Sequence, residues 1–365
     1  MHKGKTSAKI DRVKKNLKIL VIRLSAIGDT IHTLPMVYAL RQKFPDAQID
    51  WVVEDKAMQF VVGNPLINKV YVLNKQAWKK NKFLSIDFSE FNKIIGDIRK
   101  EKYDIAIDVQ QLFKSAIILK MSNAQRRITL SGGREFSYLF ANEIIPAKAK
   151  LFDKNYHVVS RNMEIAEYLG CETEQIKFEL PVVTDDIKQS VDKLLKDTDK
   201  KKKNMIIAPA TTWETKHWHN ECWAKIIAEF QDKFNVIITA TEKDKELVDD
   251  ILLYGRNHNI LNLTGKTSLK QLTELMARAD IVIAPDSGSL QIAWAVGKPY
   301  VVSVFTCTSS NRTAPFGENT KSFSADLDCY PCHKKKCFSK NFEACKLSVA
   351  SSDIIKFVKK LFNIE

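Results

Sequence analysis

Residues 19–35, Ile-Leu-Val-Ile-Arg-Leu-Ser-Ala-Ile-Gly-Asp-Thr-Ile-His-Thr-Leu-Pro, decide the fold. The largely apolar run over 19–24 and the small-residue turn after it predict a buried strand followed by a helix, which is how a parallel α/β sheet begins. The turn brings the carboxylate of Asp29 to the carboxyl edge of the sheet, where open α/β sheets bind ligands. From this segment alone, Asp29 is equally well explained as the cap of the helix.

Strand-like and helix-like segments alternate along most of the chain, which predicts parallel sheets covered by helices. Strands are predicted at 19–24, 49–53, 70–73, 103–108, 205–208, 236–239, 260–263, 281–284 and 300–304. Helices are predicted at 34–43, 88–101, 113–121, 156–169, 184–197, 220–232, 243–254, 268–278 and 289–296. The order indicates two similar α/β domains in series, and the ligands of such pairs bind in the cleft between the domains.

The predicted domain boundary lies near 175–200, where a linker-like stretch and a polar turn interrupt the pattern. In chain order we expect a flexible basic N-terminus at 1–16, an N-terminal domain at 17–180, a C-terminal domain at 181–350, and a helix at 351–365 that could pack back on the N-terminal domain. Residues 75–92, rich in Lys and aromatic side chains, are predicted to form a mobile surface loop.

Composition favours a globular protein of the cytoplasm. The 365 residues are 45% hydrophobic and 27% charged, without a membrane-spanning run or a signal peptide. The net charge of +14 fits solvated lysine-rich faces, and it also fits nucleic acid, an anionic membrane surface or phosphorylated substrates as partners. No zinc-finger, helix-turn-helix or RNP pattern supports nucleic acid.

Four of the seven cysteines are close in sequence. Cys329, Cys332, Cys337 and Cys345 form C-x2-C-x4-C-x7-C, and a compact set of this kind in a cytoplasmic protein favours a structural metal, zinc or iron, over disulfides. The spacing is not that of a standard zinc ribbon, so disulfides and free thiols stay open as alternatives.

Two loops of the second domain carry residues suited to phosphate and sugar. Thr211, Thr212 and Lys216 follow a predicted strand, and hydroxyl groups with one ammonium group suit phosphate binding. Asp286, Ser287 and Gly288 lie between another strand and a helix, where they could cap the helix or face an anion. An ordinary capped loop explains either segment nearly as well.

The first domain offers a weaker set of polar candidates. Asp108 and Gln110 close a predicted strand and can orient a polyhydroxyl substrate, with Lys114 following at helical spacing. A strand-end turn explains them equally well. Arg126, Arg127 and Arg134 form a basic group that suits phosphate or carboxylate, or is simply solvated.

No P-loop, G-x-G-x-x-G, G-x-S-x-G or H-E-x-x-H motif is present, which disfavours an NTPase of the P-loop class, a nicotinamide enzyme, a serine hydrolase and a zinc protease. Four segments instead resemble bacterial lipopolysaccharide heptosyltransferases, glycosyltransferase family 9: L-S-A-I-G-D-T-I-H-T-L-P, I-D-V-Q-Q-L-F-K-S-A, A-T-T-W-E-T-K-H-W and A-P-D-S-G-S-L-Q-I-A. The resemblance covers about 17–350. The third segment is most similar to heptosyltransferase I, whereas the four-Cys segment resembles heptosyltransferase II.

The resemblance implies a GT-B fold, two Rossmann-like domains facing across a cleft, and an inverting transfer from ADP-heptose to Kdo-lipid A at the inner face of the inner membrane, without a required metal. Asp29 would be the general base, and Lys216 would stabilise the departing diphosphate. The implied donor-binding residues are Thr211, Thr212, Glu246, Asp286, Ser287, Gly288 and Gln291. The implied acceptor-binding residues are Ser25, Gly28, Asp108, Gln110, Lys114 and Arg134, with the loop 75–92 and the other two arginines beside them.

Two departures from the family pattern keep alternatives open. Gln291 stands where the family usually has His and cannot become cationic, and Gln111 replaces a usual Gly. A different nucleotide sugar or a protein acceptor is therefore the second hypothesis. A non-enzymatic binding module held together by a metal at the four cysteines is the third.

Overall fold

The computed structural model describes residues 16–74, 88–255, 259–340 and 342–365. The chain divides into two compact units, Met1–Val182 and Val183–Glu365. The predicted boundary at 180/181 lies two residues from this division. The basic N-terminus predicted at 1–16 lies almost wholly outside the described residues, as does most of the loop predicted at 75–92.

The first unit is built on a parallel sheet. In chain order its described strands are β1 (Lys18–Ile22), β2 (Gln48–Glu54), β3 (Lys69–Leu73), β4 (Ile105–Asp108), β5 (Arg126–Leu130) and β6 (Glu143–Ile145). Their order in the sheet is β3-β2-β1-β4-β5-β6. The helices are Ile27–Ile31, Leu34–Lys43, Phe88–Glu101, Phe113–Met121 and Val158–Tyr168, with short 3-10 helices at Met58–Phe60 and Ser137–Phe140.

Burial explains why β1 lies in the middle of this sheet. Ile19, Leu20, Val21 and Ile22 are all fully buried, and β1 pairs in parallel with both β2 and β4. A strand covered on both faces needs apolar side chains on both faces, and this run supplies them.

The second unit repeats the architecture. Its described strands are β7 (Lys203–Ile207), β8 (Phe234–Ile238), β9 (Ile260–Asn262), β10 (Ile281–Pro285), β11 (Tyr300–Phe305) and β12 (Thr320–Ser324), in the parallel order β12-β11-β10-β7-β8-β9. The helices are Asp185–Leu194, Asn220–Phe230, Lys245–Gly255, Leu269–Ala277, Gly288–Val296, Ser310–Thr313, Cys345–Ser348 and Ser351–Phe362, with 3-10 helices at Glu214–Lys216 and Glu242–Asp244.

The C-terminal helix, Ser351–Phe362, is packed within the second unit. Ile354 and Val358 are fully buried in the core of that unit, and the indole of Trp218 donates to the Val349 carbonyl just before the helix at 2.9 Å. The buried face of this helix thus belongs to the second unit, and its expected packing on the N-terminal domain stays a prediction.

Three strands of the structure were not predicted. The strands β5, β6 and β12 lie toward or at the edges of the two sheets, where a strand does not need a continuous apolar run. The first starts with Arg126 and Arg127, the second has three residues, and the third reads Thr-Lys-Ser-Phe-Ser. In the part of the chain that the structure describes, no helix is long and apolar enough to span a lipid bilayer.

Candidate active site

The loop after β1 holds a carboxylate on a buried cation. One terminal nitrogen of the Arg23 guanidinium lies 2.8 Å from Asp29 Oδ1, and the other donates to the Val109 carbonyl at 3.1 Å. The Arg23 side chain is 7% exposed and that of Asp29 is 41% exposed. The Ala26 N–H donates to Asp29 Oδ2 at 3.2 Å, so Asp29 also caps the helix Ile27–Ile31. Both functions predicted for Asp29 are thus compatible in one geometry.

Gln110 fixes the start of this loop through hydrogen bonds to its backbone. Its Oε1 accepts hydrogen bonds from the backbone N–H groups of Leu24 at 2.7 Å and Ser25 at 3.4 Å. Gln110 is itself buried, so in this structure it shapes the loop that carries Ser25, Gly28 and Asp29. Its predicted contact with the acceptor stays a prediction.

Asp108 is fully buried at the end of β4. Its Oδ1 accepts from the backbone N–H groups of Gln110 and Gln111, each at 3.0 Å. Burial raises the pKa of this carboxyl to about 6, although the two backbone donors and the Arg23 charge act in the opposite direction. Direct acceptor binding by Asp108 is not available in this geometry, because the side chain has no exposed surface. It is a support for the turn.

Gln111, which stands where the sequence comparison with the family expects a glycine, has a backbone conformation typical of glycine. Its φ of 60° lies in the left-handed region that favours glycine. Its side chain is buried and donates to the Leu130 carbonyl at 2.7 Å, so it points into the unit and not into the loop beside Asp29.

The four basic residues predicted to meet the acceptor separate into two groups, of which the first is Lys114 and Arg134. Lys114 Nζ lies 2.6 Å from Glu54 Oε1 and donates to Ser25 Oγ at 3.1 Å, next to Asp29 in the loop. Arg134 is exposed, with its guanidinium 5.3 Å from the centre of the Phe152 ring.

Arg126 and Arg127 have structural partners instead. Arg126 forms a two-point ion pair with Glu143 on the neighbouring strand β6, and this pairing raises the pKa of Arg126 and lowers that of Glu143. Arg127 donates to the carbonyls of Ala124 and Phe140. Both guanidinium groups thus have structural partners within the first unit, and their predicted contact with an anionic acceptor stays a prediction.

The second unit brings the predicted Lys216 and Asp286 together. Lys216 Nζ lies 2.7 Å from Asp286 Oδ2, and both side chains are largely buried. Thr308 Oγ1 donates to the same oxygen at 2.7 Å, and Thr313 Oγ1 lies 3.4 Å from Asp286 Oδ1. The ammonium group of Lys216 also lies over the Trp213 ring, 4.8 Å from its centre. The carboxylate thus fixes one cation at the carboxyl edge of the sheet.

The remaining donor candidates surround this pair on neighbouring loops. Ser287 Oγ accepts from the Leu290 N–H at 3.3 Å and caps the helix Gly288–Val296. The structure therefore confirms the prediction that this segment caps the helix. Thr211 Oγ1 is buried without a hydrogen-bond partner among the described residues, and Thr212 is exposed. Glu246 is exposed in the first turn of Lys245–Gly255, after β8.

Gln291 is buried, and its amide donates to the Thr313 carbonyl at 2.9 Å. It therefore supports the segment that holds Asp286, and its contact with a donor stays a prediction.

Sequence reasoning missed Arg23, Trp213, Thr308 and Thr313. Arg23 is the lone charge in the apolar run 19–24, and a charge inside a buried run is a signal that a partner must be near. The hydroxyl-rich stretch 306–309 after β11 carries a signal of the same kind as Thr211 and Thr212, since it also follows a buried strand.

The four-Cys segment gains a fifth member in the structure. Cys307, from the end of β11, lines one cavity of about 250 Å³ together with Cys329, Cys332, Cys337 and Cys345. Burial raises the pKa of the Cys345 thiol to about 11, and the other four cysteines add to the shift. Among the residues that the structure describes, however, no group of three or more His, Cys, Asp or Glu is arranged to hold a metal ion. The support for the predicted zinc or iron therefore comes from the sequence spacing and not from the described geometry.

The chain is thus built of two parallel α/β units, one with an exposed carboxylate and one with a fixed cation in the loop after its central strand. The profile of Glycosyltransferase family 9 (heptosyltransferase) matches residues 91–343. The chain belongs to glycosyltransferase family 9, which confirms the resemblance seen in the sequence.

Individual relatives agree with the family. The lipopolysaccharide core heptosyltransferase OpsX of Haemophilus influenzae is 29% identical over 82% of this chain and 81% of its own length. Other matches carry the names lipopolysaccharide or lipooligosaccharide heptosyltransferase 1, 2 and 3.

Solved structures confirm the GT-B fold class of two α/β units. E. coli heptosyltransferase WaaC with ADP superposes with a TM-score of 0.73 at 21% identity, covering 94% of this chain and 99% of WaaC. The iron-containing dodecameric glycosyltransferase TibC of enterotoxigenic E. coli superposes with a TM-score of 0.57 at 15% identity, covering 96% and 77%.

Proposed function

We propose that this chain transfers L-glycero-D-manno-heptose from ADP-heptose to a Kdo hydroxyl of Kdo-lipid A in the synthesis of the lipopolysaccharide inner core. The observation that carries the proposal is the half-exposed carboxylate of Asp29, held by the buried guanidinium of Arg23 at the carboxyl edge of the first sheet. Relatives named lipopolysaccharide core heptosyltransferase, and the related structure with ADP, support the donor and the pathway.

The proposed reaction is a direct displacement. Asp29 accepts the proton of the acceptor hydroxyl as its oxygen bonds to the anomeric carbon of the heptose, and the bond from that carbon to the diphosphate oxygen breaks with inversion. Lys216 meets the negative charge that develops on the departing ADP. The N–H groups at the start of the helix Gly288–Val296 add positive potential there. The proposal needs no catalytic cofactor.

We also propose that an exposed surface of the first unit meets a lipid-linked acceptor. Phe113, Phe136, Leu139 and Phe152, here called the aromatic patch, are each at least 49% exposed. They are linked through contacts: Phe113 packs edge-on against Phe140 at 5.7 Å, within the 3-10 helix that carries Leu139, and Phe152 lies under Arg134. The Arg134 backbone N–H donates to the Gln111 carbonyl at 3.1 Å, and Gln111 follows Gln110, which accepts from the loop that carries Asp29.

The charge around the patch fits an anionic leaflet. Arg134, Lys150 and Lys154 are exposed beside it in the chain, and the net charge is +14. Aromatic rings with interleaved cations are suited to the interface of an anionic membrane. We therefore propose peripheral binding to the cytoplasmic face of the inner membrane, with lipids bearing anionic headgroups as the partner.

Vesicle co-sedimentation tests this placement. The double substitution Phe136→Ser, Leu139→Ser should lower binding to vesicles that contain anionic phospholipid about tenfold, because it removes apolar area that would enter the interface. The double substitution Leu253→Ser, Tyr254→Ser on the second unit, also of exposed residues, is the matched control. Equal binding by both variants would remove the aromatic patch from the proposal.

The first test of function is transfer from ADP-heptose to purified Kdo-lipid A, measured by the mass of the product. A gain of one heptose supports the proposal. Donor binding without transfer to this acceptor contradicts the proposed acceptor and directs the assay to phosphorylated Kdo, an already heptosylated core as for a heptosyltransferase 2 or 3, or a protein. Preference for a UDP- or GDP-sugar contradicts the donor.

A further inference from the structure

The four-Cys segment carries three consecutive lysines, 334–336, and the middle one reaches the candidate donor site. Lys335 Nζ lies over the Trp213 ring, 5.5 Å from its centre, and Lys216 Nζ lies over the same ring at 4.8 Å. The two ammonium groups are therefore no farther apart than the sum of these two distances. Two cations this close repel each other, and an anion that contacts both of them relieves the repulsion.

Hydrogen bonds fasten this segment to the two loops that form the donor site. The buried Thr215, next to Lys216, donates from Oγ1 to the Lys334 carbonyl at 2.7 Å. The His333 N–H donates to the Cys307 carbonyl at 3.0 Å, and the Ser309 N–H donates to His333 Nε2 at 3.1 Å. The position of Lys335 is thus set by the backbone of the segment, not only by its long side chain.

The two cations differ in what neutralises them. Lys216 is paired with Asp286 at 2.7 Å. Lys335 has no ion pair among the described residues, and its side chain is exposed. Gln291, at the start of the helix beside Asp286, supplies no positive charge. A diphosphate carries more negative charge than the already paired Lys216 compensates, and a second cation nearby would strengthen its binding through a further charge-assisted contact.

We propose that Lys335 is a second diphosphate-binding residue, which the four-Cys segment brings to the donor site. The inference rests on the proposed function in that it takes a nucleoside diphosphate as the ligand of this loop. It gives the four-Cys segment a task that does not depend on a metal: it holds a cation over Trp213. The segment contributes this cation in a site where Gln291 cannot.

Isothermal titration of the full chain with ADP and with AMP tests the proposal. Lys335→Ala should weaken ADP binding about tenfold, the size of one charge-assisted contact, and should weaken AMP binding less, because AMP lacks the second phosphate. Lys335→Arg should restore most of the affinity. The matched control is Lys334→Ala, which removes the same charge from the same segment, from a position over Phe338 at 5.7 Å, and should change ADP affinity less than about twofold.

The outcomes separate this inference from the proposed function. Wild-type affinity for ADP in Lys335→Ala, or an equal loss in Lys334→Ala, overturns the role of Lys335. If the wild-type chain binds UDP or GDP instead of ADP, with the same dependence on Lys335, the ADP-heptose donor is wrong and the role of Lys335 stands. If no nucleoside diphosphate binds to the wild-type chain, both fail. Matching thermal unfolding curves for all variants exclude a folding defect as the cause.

Discussion

The loops after β1 and β7 occupy the same point of the same topology and carry opposite charges. Each strand lies in the middle of its six-stranded sheet, beside β4 and β10 respectively. In the first unit a buried cation, Arg23, holds an exposed carboxylate, Asp29. In the second unit a buried carboxylate, Asp286, holds the cation Lys216. One architecture therefore presents a carboxylate in one unit, the proposed proton acceptor, and a cation in the other, the proposed phosphate-binding charge.

The difference shows that the buried partner decides what the loop offers. A buried charge is costly unless it is paired, so each inner residue fixes the position of its outer partner. The outer residue then differs in availability: the Asp29 side chain is 41% exposed and that of Lys216 is 17% exposed. The carboxylate is accessible to a hydroxyl, whereas the ammonium group is held against Trp213 and Asp286.

The strongest test of this comparison removes the proton acceptor. Asp29→Asn should lower heptose transfer about a thousandfold, the scale of a lost general base, while ADP affinity and thermal stability stay near wild type. Rates of transfer to Kdo-lipid A and titration with ADP measure the two effects. Asp46→Asn, an exposed carboxylate before β2 at the opposite edge of the sheet, is the control. Near-normal turnover in Asp29→Asn would remove Asp29 from the mechanism.

The corresponding test in the second unit removes the cation. Lys216→Ala should lower kcat about a hundredfold, since a preorganised charge at the leaving group acts chiefly in the transition state. The loss also leaves Asp286 buried without its cation, so the free energy of unfolding should fall by about 2 kcal/mol. Lys225→Ala, an exposed lysine of the same unit, should change neither. Loss of ADP affinity with kcat unchanged would limit Lys216 to ground-state binding.

Much of this arrangement was predictable from the sequence. The strand–turn–helix pattern of 19–35 and the motif after β7 placed Asp29 and Lys216 at strand ends, because an apolar run followed by a small-residue turn is a local signal. The partners were less accessible. Thr308 and Thr313 contact Asp286 because β11 lies beside β10 in the sheet, and the sequence does not report this order. Likewise, the ion pair of Arg126 depends on Glu143, which lies on the neighbouring strand β6. Local patterns do not report pairing across strands that are distant in sequence.

Asp108 provides a smaller test, through pH. It ends β4, the strand that corresponds to β10, but it faces backbone N–H donors and, through space, Arg23. Its pKa is raised from 3.8 to about 6 in the folded state, so the folded chain binds more protons than the unfolded chain between these values. Stability contributed by this group therefore falls as pH rises through that window and is constant above it.

We expect Asp108→Asn to remove that fall. The difference in unfolding free energy between wild type and variant should change by about 2 kcal/mol between pH 4 and pH 7, with the variant gaining relative to wild type as pH rises. Urea unfolding at several pH values measures it. Glu101, whose pKa is lowered to about 2 by Lys18 and Lys69, acts in the opposite direction but is common to both chains and cancels in the difference. If the difference in unfolding free energy did not depend on pH, burial would not raise the pKa of the Asp108 carboxyl.

The smallest expected effect concerns metal, and it bears on the source of positive charge in the second unit. If Lys216 and Lys335 supply that charge, a chelator should leave transfer within about twofold, and the purified reduced chain should hold less than about 0.2 equivalents of zinc or iron. Elemental analysis and activity before and after chelation measure this. One full equivalent, lost together with the fold of the segment around Cys307 and Cys345, would show that a metal closes the five-cysteine cavity. The comparison would then change: the first unit would position its charge by ion pairing alone, and the second by ion pairing together with a metal-held segment.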